Sequence, residues 1–260
     1  MTSAIYNLTS PDVQEALAVE PTVVLPFGSV EQHGPHLPCG TDTMAAELVA
    51  RTVADRLGGL LAAIGPYGVT PIHAGHPGTI SLSRKTFELL AHDVLEELIR
   101  MGASVLVLVN WHEGNTASLN AVATDLQERH DVAFIVAQAC YVAQRLYADD
   151  GGELTHGGGI ETLAVMAHNP GLLRLERAGR PSRPPGADEL DGMRRSREVY
   201  GFITDVTELA GDGWYGNPTW ATTERAEVFA ETVAGEIVRQ VQVVVDARKR
   251  GRGARRRDEA

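Results

Sequence analysis

The chain reads as an α/β protein, a three-layer α/β/α sandwich around a mostly parallel central sheet. Three observations predict this class. Short β-rich runs alternate with longer amphipathic stretches along the sequence. The run SVLVLVN (104–110) is continuously apolar, as a parallel strand covered on both faces must be. The stretch SRKTFELLAHDVLEELIRMG (83–102) carries its apolar residues at the helical period and closes on Gly102, a C-cap residue. With 260 residues and 43% hydrophobic content, the chain can bury a substantial core, and residues 1–247 are expected to form one domain.

Ser10-Pro11-Asp12 opens the first helix, with serine as N-cap and proline at the first helical position. TVVLPFG (22–28) is a buried strand, TMAAELVARTVADRL (43–57) a helix and LLAAI (60–64) the next strand. After the helix at 83–102 and the strand at 104–110, NTASLNAVATDLQERH (115–130) is helical and VAFIVAQ (132–138) a strand. GIETLAVMAH (159–168) is a further helix. The segment 176–196, ERAGRPSRPPGADELDGMRRS, breaks the alternation with prolines, glycines and charges; it predicts a surface excursion, an oligomer arm or a lid. A long helix begins near TTERAEVF and runs to the basic segment 248–260, expected to be a disordered tail.

Several function classes are disfavoured by composition. No apolar run reaches the ~18 residues of a membrane span, and the N-terminus lacks the regions of a signal peptide. Two cysteines, Cys39 and Cys140, make no disulfide framework, so cytoplasmic residence is expected. The net charge of −11 understates the acidity of the body, because the tail RKRGRGARRRDEA is basic. An acidic body argues against a nucleic-acid groove. GxSxG, P-loop and post-strand GxGxxG patterns are all missing, which leaves serine-nucleophile and nucleotide-dependent chemistry without support.

In a parallel α/β sheet, function gathers beyond the carboxyl ends of the strands. Two chemically loaded segments fall there. GSVEQHGPHLPCGTD (28–42) follows the first strand and holds Glu31, His33, His36 and Asp42. Glu31 and His33 are two apart, so an extended backbone points both side chains the same way. Asp42 precedes a helix and is either an N-cap or a carboxylate bridging two cations. NWHEGN (110–115) follows the apolar strand and offers Trp111, His112, Glu113 and Asn115. It is not HExxH, because no second histidine sits four residues on. THGGGIET (155–162) separates His156 from Glu161 by three glycines and a turn of chain. HAGHPGTISL (73–82) adds His73 beside a Pro-Gly turn.

Taken in order, GSVEQHGPHLPCGTD, HPGTISL, NWHEGN, HGGGIET and GNPTWATTERA (216–226) resemble the creatininase (creatinine amidohydrolase) family over roughly residues 20–240. The resemblance implies an α/β/α hydrolase with two divalent ions per chain (zinc, manganese or iron(II)), assembled as a homohexamer. It carries Glu31, His33, Asp42 and His112 over as metal ligands, with Asp42 bridging. An amine leaving group needs a proton, and His156 is the candidate general acid because an imidazole titrates near neutral pH. The family's glutamate two residues after the ligand histidine is here Gly114. In the branch resembling formamide deformylases and the mycofactocin-precursor peptidase that position is also glycine, and Glu161 is implied as the replacement ligand in preference to Glu113. Trp111 stands where the family has glycine and is expected beside the pocket. His36, His73, Glu113 and Asn115 are expected around the ligands or the substrate.

These expectations describe a metal-dependent hydrolase of a non-peptide C–N bond, an amide, cyclic amide or formamide, attacked by a water that two ions activate. The alternative is a metallopeptidase trimming a short precursor peptide; the least favoured is a non-catalytic binding subunit. Its partner is then a small amide or a short peptide, not nucleic acid or a membrane.

Overall fold

Parallel strands buried on both faces need helices above and below, and the apolar runs dictate which helices those are. A computed structural model of the chain describes residues 4–196 and 198–258, with side chains to Gly251. Its sheet has four parallel strands in the order β2-β1-β3-β4: β1 is Thr22–Phe27, β2 Leu60–Leu61, β3 Val105–Asn110 and β4 Ala133–Gln138. The eight α-helices among the described residues are α1 Ser10–Val19, α2 Thr41–Leu57, α3 Arg84–Arg100, α4 Thr116–Arg129, α5 Ala139–Tyr147, α6 Gly159–His168, α7 Ala187–Ser196 and α8 Thr223–Asp258. This is the three-layer class that the apolar pattern predicts.

Alternation along the strands builds two cores. Val24, Val107 and Val109 face α2, α5, α6 and α8, while Val23, Leu25, Leu106 and Leu108 face α1, α3 and α4. On the first face Phe229 of α8 is fully buried; it stacks on Tyr147 and meets the edge of Trp111. Register decides where the loops leave. Phe27 pairs with Asn110 and Asn110 with Gln138, so β1, β3 and β4 end level and their outgoing segments share one edge.

Local chemistry moves some boundaries. Asp12 accepts from both the Thr9 amide and the Thr9 hydroxyl, at 3.1 and 2.6 Å, so Thr9 is the N-cap and Ser10 lies inside α1. β2 is only two residues long. Its partner β1 offers ladder positions beside Leu60 and Leu61, and the chain then turns away at Gly65, whose φ is 102°. α5 follows β4 without a loop and was not signalled in the sequence by any Gly or Pro boundary. The backbone of the basic segment continues α8 to Asp258, and the last two residues of the expected tail, 259–260, lie outside the described residues. Arginine and lysine are good helix formers, and positive charge suits a helix C-terminus. No helix among the described residues is long and apolar enough to cross a membrane.

Phe229→Ala, which leaves a cavity under α8, is expected to cost about 3–5 kcal/mol. Denaturant unfolding followed by circular dichroism measures it, and a loss below 1 kcal/mol would show that α8 is not anchored there.

Candidate metal centre

The level ends of β1 and β3 bring Glu31, His33 and His112 together, and the start of α2 adds Asp42. All four are buried. Asp42 lies between two imidazoles: its Oδ1 is 3.3 Å from His33 Nε2 and its Oδ2 is 3.0 Å from His112 Nδ1. Glu31 Oε1 is 3.4 Å from His112 Nδ1, and Glu161 Oε2 is 3.5 Å from His33 Nε2. Two groups of donors therefore share Asp42: Glu31/Asp42/His112 and His33/Asp42/Glu161. A third is Glu31/His33/His156, and within each group the donor atoms lie inside 4.8 Å of one another.

Hydrogen bonds outside the cluster aim its members. His33 Nδ1 bonds the Glu31 carbonyl at 3.1 Å and His112 Nε2 the Val69 carbonyl at 3.0 Å. Each backbone acceptor fixes a tautomer that leaves the other nitrogen free for the cluster. Ser29 donates to Asp42 Oδ2 at 2.8 Å, and the Gly157 amide donates to Glu161 Oε2 at 2.5 Å. Asp42 and Glu161 both sit in the first turn of a helix, where the macrodipole favours negative charge.

Charge explains why such a cluster can attract cations. Burial alone would lower the His33 pKa, but Glu161 and Asp42 outweigh it and hold the imidazole up to about 10. Burial likewise works against His112, and Glu31 and Asp42 hold it up to about 9. Burial raises Glu31, with Asp42 adding to the rise; it also raises Glu161. Despite burial, His33 and His112 keep Asp42 well below the usual carboxylate range. Glu31 Oε2 and His33 Nε2 have no hydrogen-bond partner although both are buried. A set of carboxylates and imidazoles with unpartnered donor atoms fits divalent ions such as zinc, manganese or iron(II).

The remaining predicted residues separate by what they touch. His156 packs between His33 and His73, with ring centroids 4.3 and 4.2 Å away. Its Nε2 bonds the Gln32 carbonyl at 2.6 Å, and its Nδ1 is 3.7 Å from Glu31 Oε1. Burial, and then the charges of His33 and His73, push its pKa well below the ordinary range. His73 Nδ1 accepts from the Gln32 side-chain Nε2 at 3.1 Å, and Nε2 points at Glu31 Oε1 from 3.7 Å. His36 lies outside the groups and bonds the Gly157 carbonyl at 2.8 Å. Asn115 is a staple: its side chain donates to the Gly28 carbonyl and accepts from the Val69 amide, each at 2.9 Å.

One expectation changes. Trp111 was expected beside the pocket; its ring is buried against Phe229 in the core of the α8 face, because β3 directs that position inward. Glu113 belongs to none of the donor groups, since its oxygens accept from Tyr141 and Arg194, each at 2.5 Å. Gly114 cannot carry a side chain here: a Cβ would stand 2.1 Å from the Val69 carbonyl oxygen. Sequence reasoning missed Ser29 and Gln32. Both lie inside the opening motif, but nothing local says that a serine or glutamine there faces its neighbours' ligands.

The creatininase family model, described as creatinine amidohydrolase, matches residues 6–241. The mycofactocin precursor peptide peptidase of Mycolicibacterium smegmatis is 34% identical over 229 residues, 83% of this chain and 82% of that protein. The creatinine amidohydrolase of Pseudomonas putida is 31% identical over 228 residues, covering 80% and 84%. A solved structure described as "Creatininase Mn" superposes with a TM-score of 0.73 at 25% identity, covering 93% of this chain and 98% of its own.

With pKa values raised above the ordinary 6.5, His33 and His112 stabilise the cation-free protein fully below about pH 6.5, and this stabilisation is lost as pH rises through about 9 and 10. Metal uptake must displace the same protons, and below about pH 7 the one on Glu161 as well, so the affinity is expected to rise with pH across 6–9 and at least two protons to leave per chain. Calorimetry of zinc or manganese binding in buffers of different ionisation enthalpy counts them; uptake without proton release would refute the assignment.

Proposed function

We propose, since this chain belongs to the creatininase family, that its buried cluster holds two divalent ions and hydrolyses an amide C–N bond. The chain is a creatininase-family amidohydrolase; the ligand set and the reaction path are our reading. The observation that carries it is Asp42, whose two oxygens face different donor groups and so suit a carboxylate shared by two cations. Glu31 and His112 complete one shell, and His33 and Glu161 the other. Ions held there supply Lewis acidity toward a carbonyl and lower the pKa of a water.

The chain's own residues supply the proton path. His156 gives its Nε2 hydrogen to the Gln32 carbonyl, which leaves the Nδ1 lone pair facing the cluster. Nδ1 takes the proton that the attacking water loses and returns it to the leaving amine nitrogen. His156 is thus a proton carrier that starts neutral, which refines the expectation of a standing acid. His73 stacks on its ring and fixes its plane. Between a small amide and a peptide as substrate, likeness to precursor peptide peptidases over 82% of their length favours the peptide.

Asp42→Asn is expected to reduce bound metal from two ions per chain to fewer than one and to abolish hydrolysis. Ser29→Ala, which removes one hydrogen bond to Asp42, should cost 10- to 100-fold in metal affinity or activity. Elemental analysis together with a hydrolysis screen of lactams, formamides and short peptides, scored by product mass, tests both. Full activity in metal-free protein would sink the mechanism.

A further inference from the structure

The stretch THGGGIET must deliver His156 and Glu161 to one cluster, yet three glycines lie between them. Glycine loses more conformational freedom on folding than any other residue, so such a loop keeps one shape only where partners hold it. Close packing explains the glycines. A Cβ at Gly157 would stand 3.0 Å from Trp214 Cβ, and one at Gly159 would stand 2.9 Å from the Asn217 carbonyl oxygen. The φ of Gly157, 77°, also favours glycine.

The holds can be followed one peptide plane at a time. The plane between His156 and Gly157 carries the His156 carbonyl, which accepts from the Tyr215 amide at 2.8 Å. The same plane carries the Gly157 N–H, which donates to Glu161 Oε2. The next plane, between Gly157 and Gly158, carries the Gly157 carbonyl, which accepts from His36 Nε2 at 2.8 Å. At the other end of that plane the Gly158 N–H makes a longer bond, 3.3 Å, to the Thr155 carbonyl. His36 is thus the side-chain hold on the second plane, and the two planes meet at a residue with no Cβ to resist rotation.

The surroundings of His36 suit this task. The ring is 1% exposed and packs against Trp214 with centroids 4.5 Å apart. The His36 carbonyl accepts from the Arg174 amide at 3.0 Å, so its backbone is held as well. A carbonyl needs a donor, which places the ring hydrogen on Nε2. Nδ1 is then buried without a hydrogen-bond partner among the described residues. Burying a bare polar nitrogen is unfavourable, and the bond to Gly157 is what the ring gains in exchange. That bond joins the opening motif to the glycine loop across 121 positions of chain.

We propose that His36 is a positioning residue for the second cation shell: by holding the Gly157 carbonyl it fixes the glycine loop, so that the Gly157 N–H meets Glu161 Oε2 and that oxygen faces His33. Glu161 Oε2 lies 3.5 Å from His33 Nε2. The other shell, Glu31/Asp42/His112, takes none of its donors from this loop. The inference deepens the two-cation reading above and rests on it for the role of Glu161, whereas the hold on the loop stands on hydrogen bonds alone.

Three variants test it. His36→Phe keeps a ring and removes the donor, His36→Gln places an amide nitrogen where Nε2 was, and His36→Asn carries the same amide too short to reach. Calorimetry with elemental analysis follows zinc uptake, and hydrogen exchange at the Gly157 amide, read by NMR, follows the loop in metal-free protein. Wild type and His36→Gln are expected to take up two zinc ions per chain. His36→Phe and His36→Asn should keep one ion and bind the second about 10- to 100-fold more weakly. Their Gly157 amide should exchange about tenfold faster than in wild type. Wild-type affinity for both ions in His36→Phe and His36→Asn overturns the proposal. So does a loss in His36→Gln equal to that in His36→Phe, which would assign the effect to ring packing. If His36→Phe does not fold, the Gln and Asn variants decide by the same criteria. If wild type takes up no zinc, the two-cation reading falls and exchange alone decides: faster exchange in Phe and Asn but not in Gln leaves the hold standing, and equal rates overturn it.

Discussion

A carboxylate held away from water is stable only where partners surround it, and Asp42 meets three: His33, His112 and Ser29. Left without them, a buried charge would cost several kcal/mol. The three partners arrive from two strands, Ser29 and His33 beyond β1 and His112 beyond β3. Their meeting depends on Phe27 lying beside Asn110 in the sheet. A slip of one residue would send every side chain on a strand to the opposite face, breaking both cores and the cluster together. Register, set by hydrophobic alternation, thus serves the site as directly as it serves stability.

Close backbone approach is the second constraint. α2 must enter near the end of β1 for Asp42 to reach both histidines, and at Gly28 a Cβ would lie 2.4 Å from Thr43 Cα. Asn115 then bonds Gly28 and Val69, so the segment after β3 is pinned to the segments flanking it. Val69 also receives His112 Nε2. One short stretch of backbone therefore orients an imidazole and closes the packing beneath it.

Outside this centre the design changes from buried donors facing inward to carboxylates paired with the arginines of α7. Glu113 and Asp191 are acids that serve arginines of α7. Paired in this way, Arg194 joins α7 to Glu113, which follows His112, and Arg195 joins it to Tyr215, whose backbone N–H donates to the His156 carbonyl. The division is economical: carboxylates whose oxygens face histidines suit cations, and carboxylates whose oxygens face guanidiniums suit structure.

Much of this was legible in the sequence because it depends on neighbours in the chain. Apolar runs define β1 and β3, the helical period defines α3 and α6, and the i, i+2 spacing of Glu31 and His33 points both into one site. What resisted reading depends on residues far away. Trp111 was expected at a pocket, and only the packing of α8, which brings Phe229 against it, assigns the ring to the core. Glu113 adjoins His112 in the chain, and only the fold shows that Arg194, 81 positions later, takes its carboxylate. Gly114 admits no side chain because of Val69, and Ser29 matters because of where Asp42 lies. The sequence by itself determined which residue types cluster at the strand ends, since local pattern sets secondary structure and direction. Only the tertiary structure decided which acid faces a histidine and which faces an arginine, because a carboxylate's role is set by the charge that folding places opposite it.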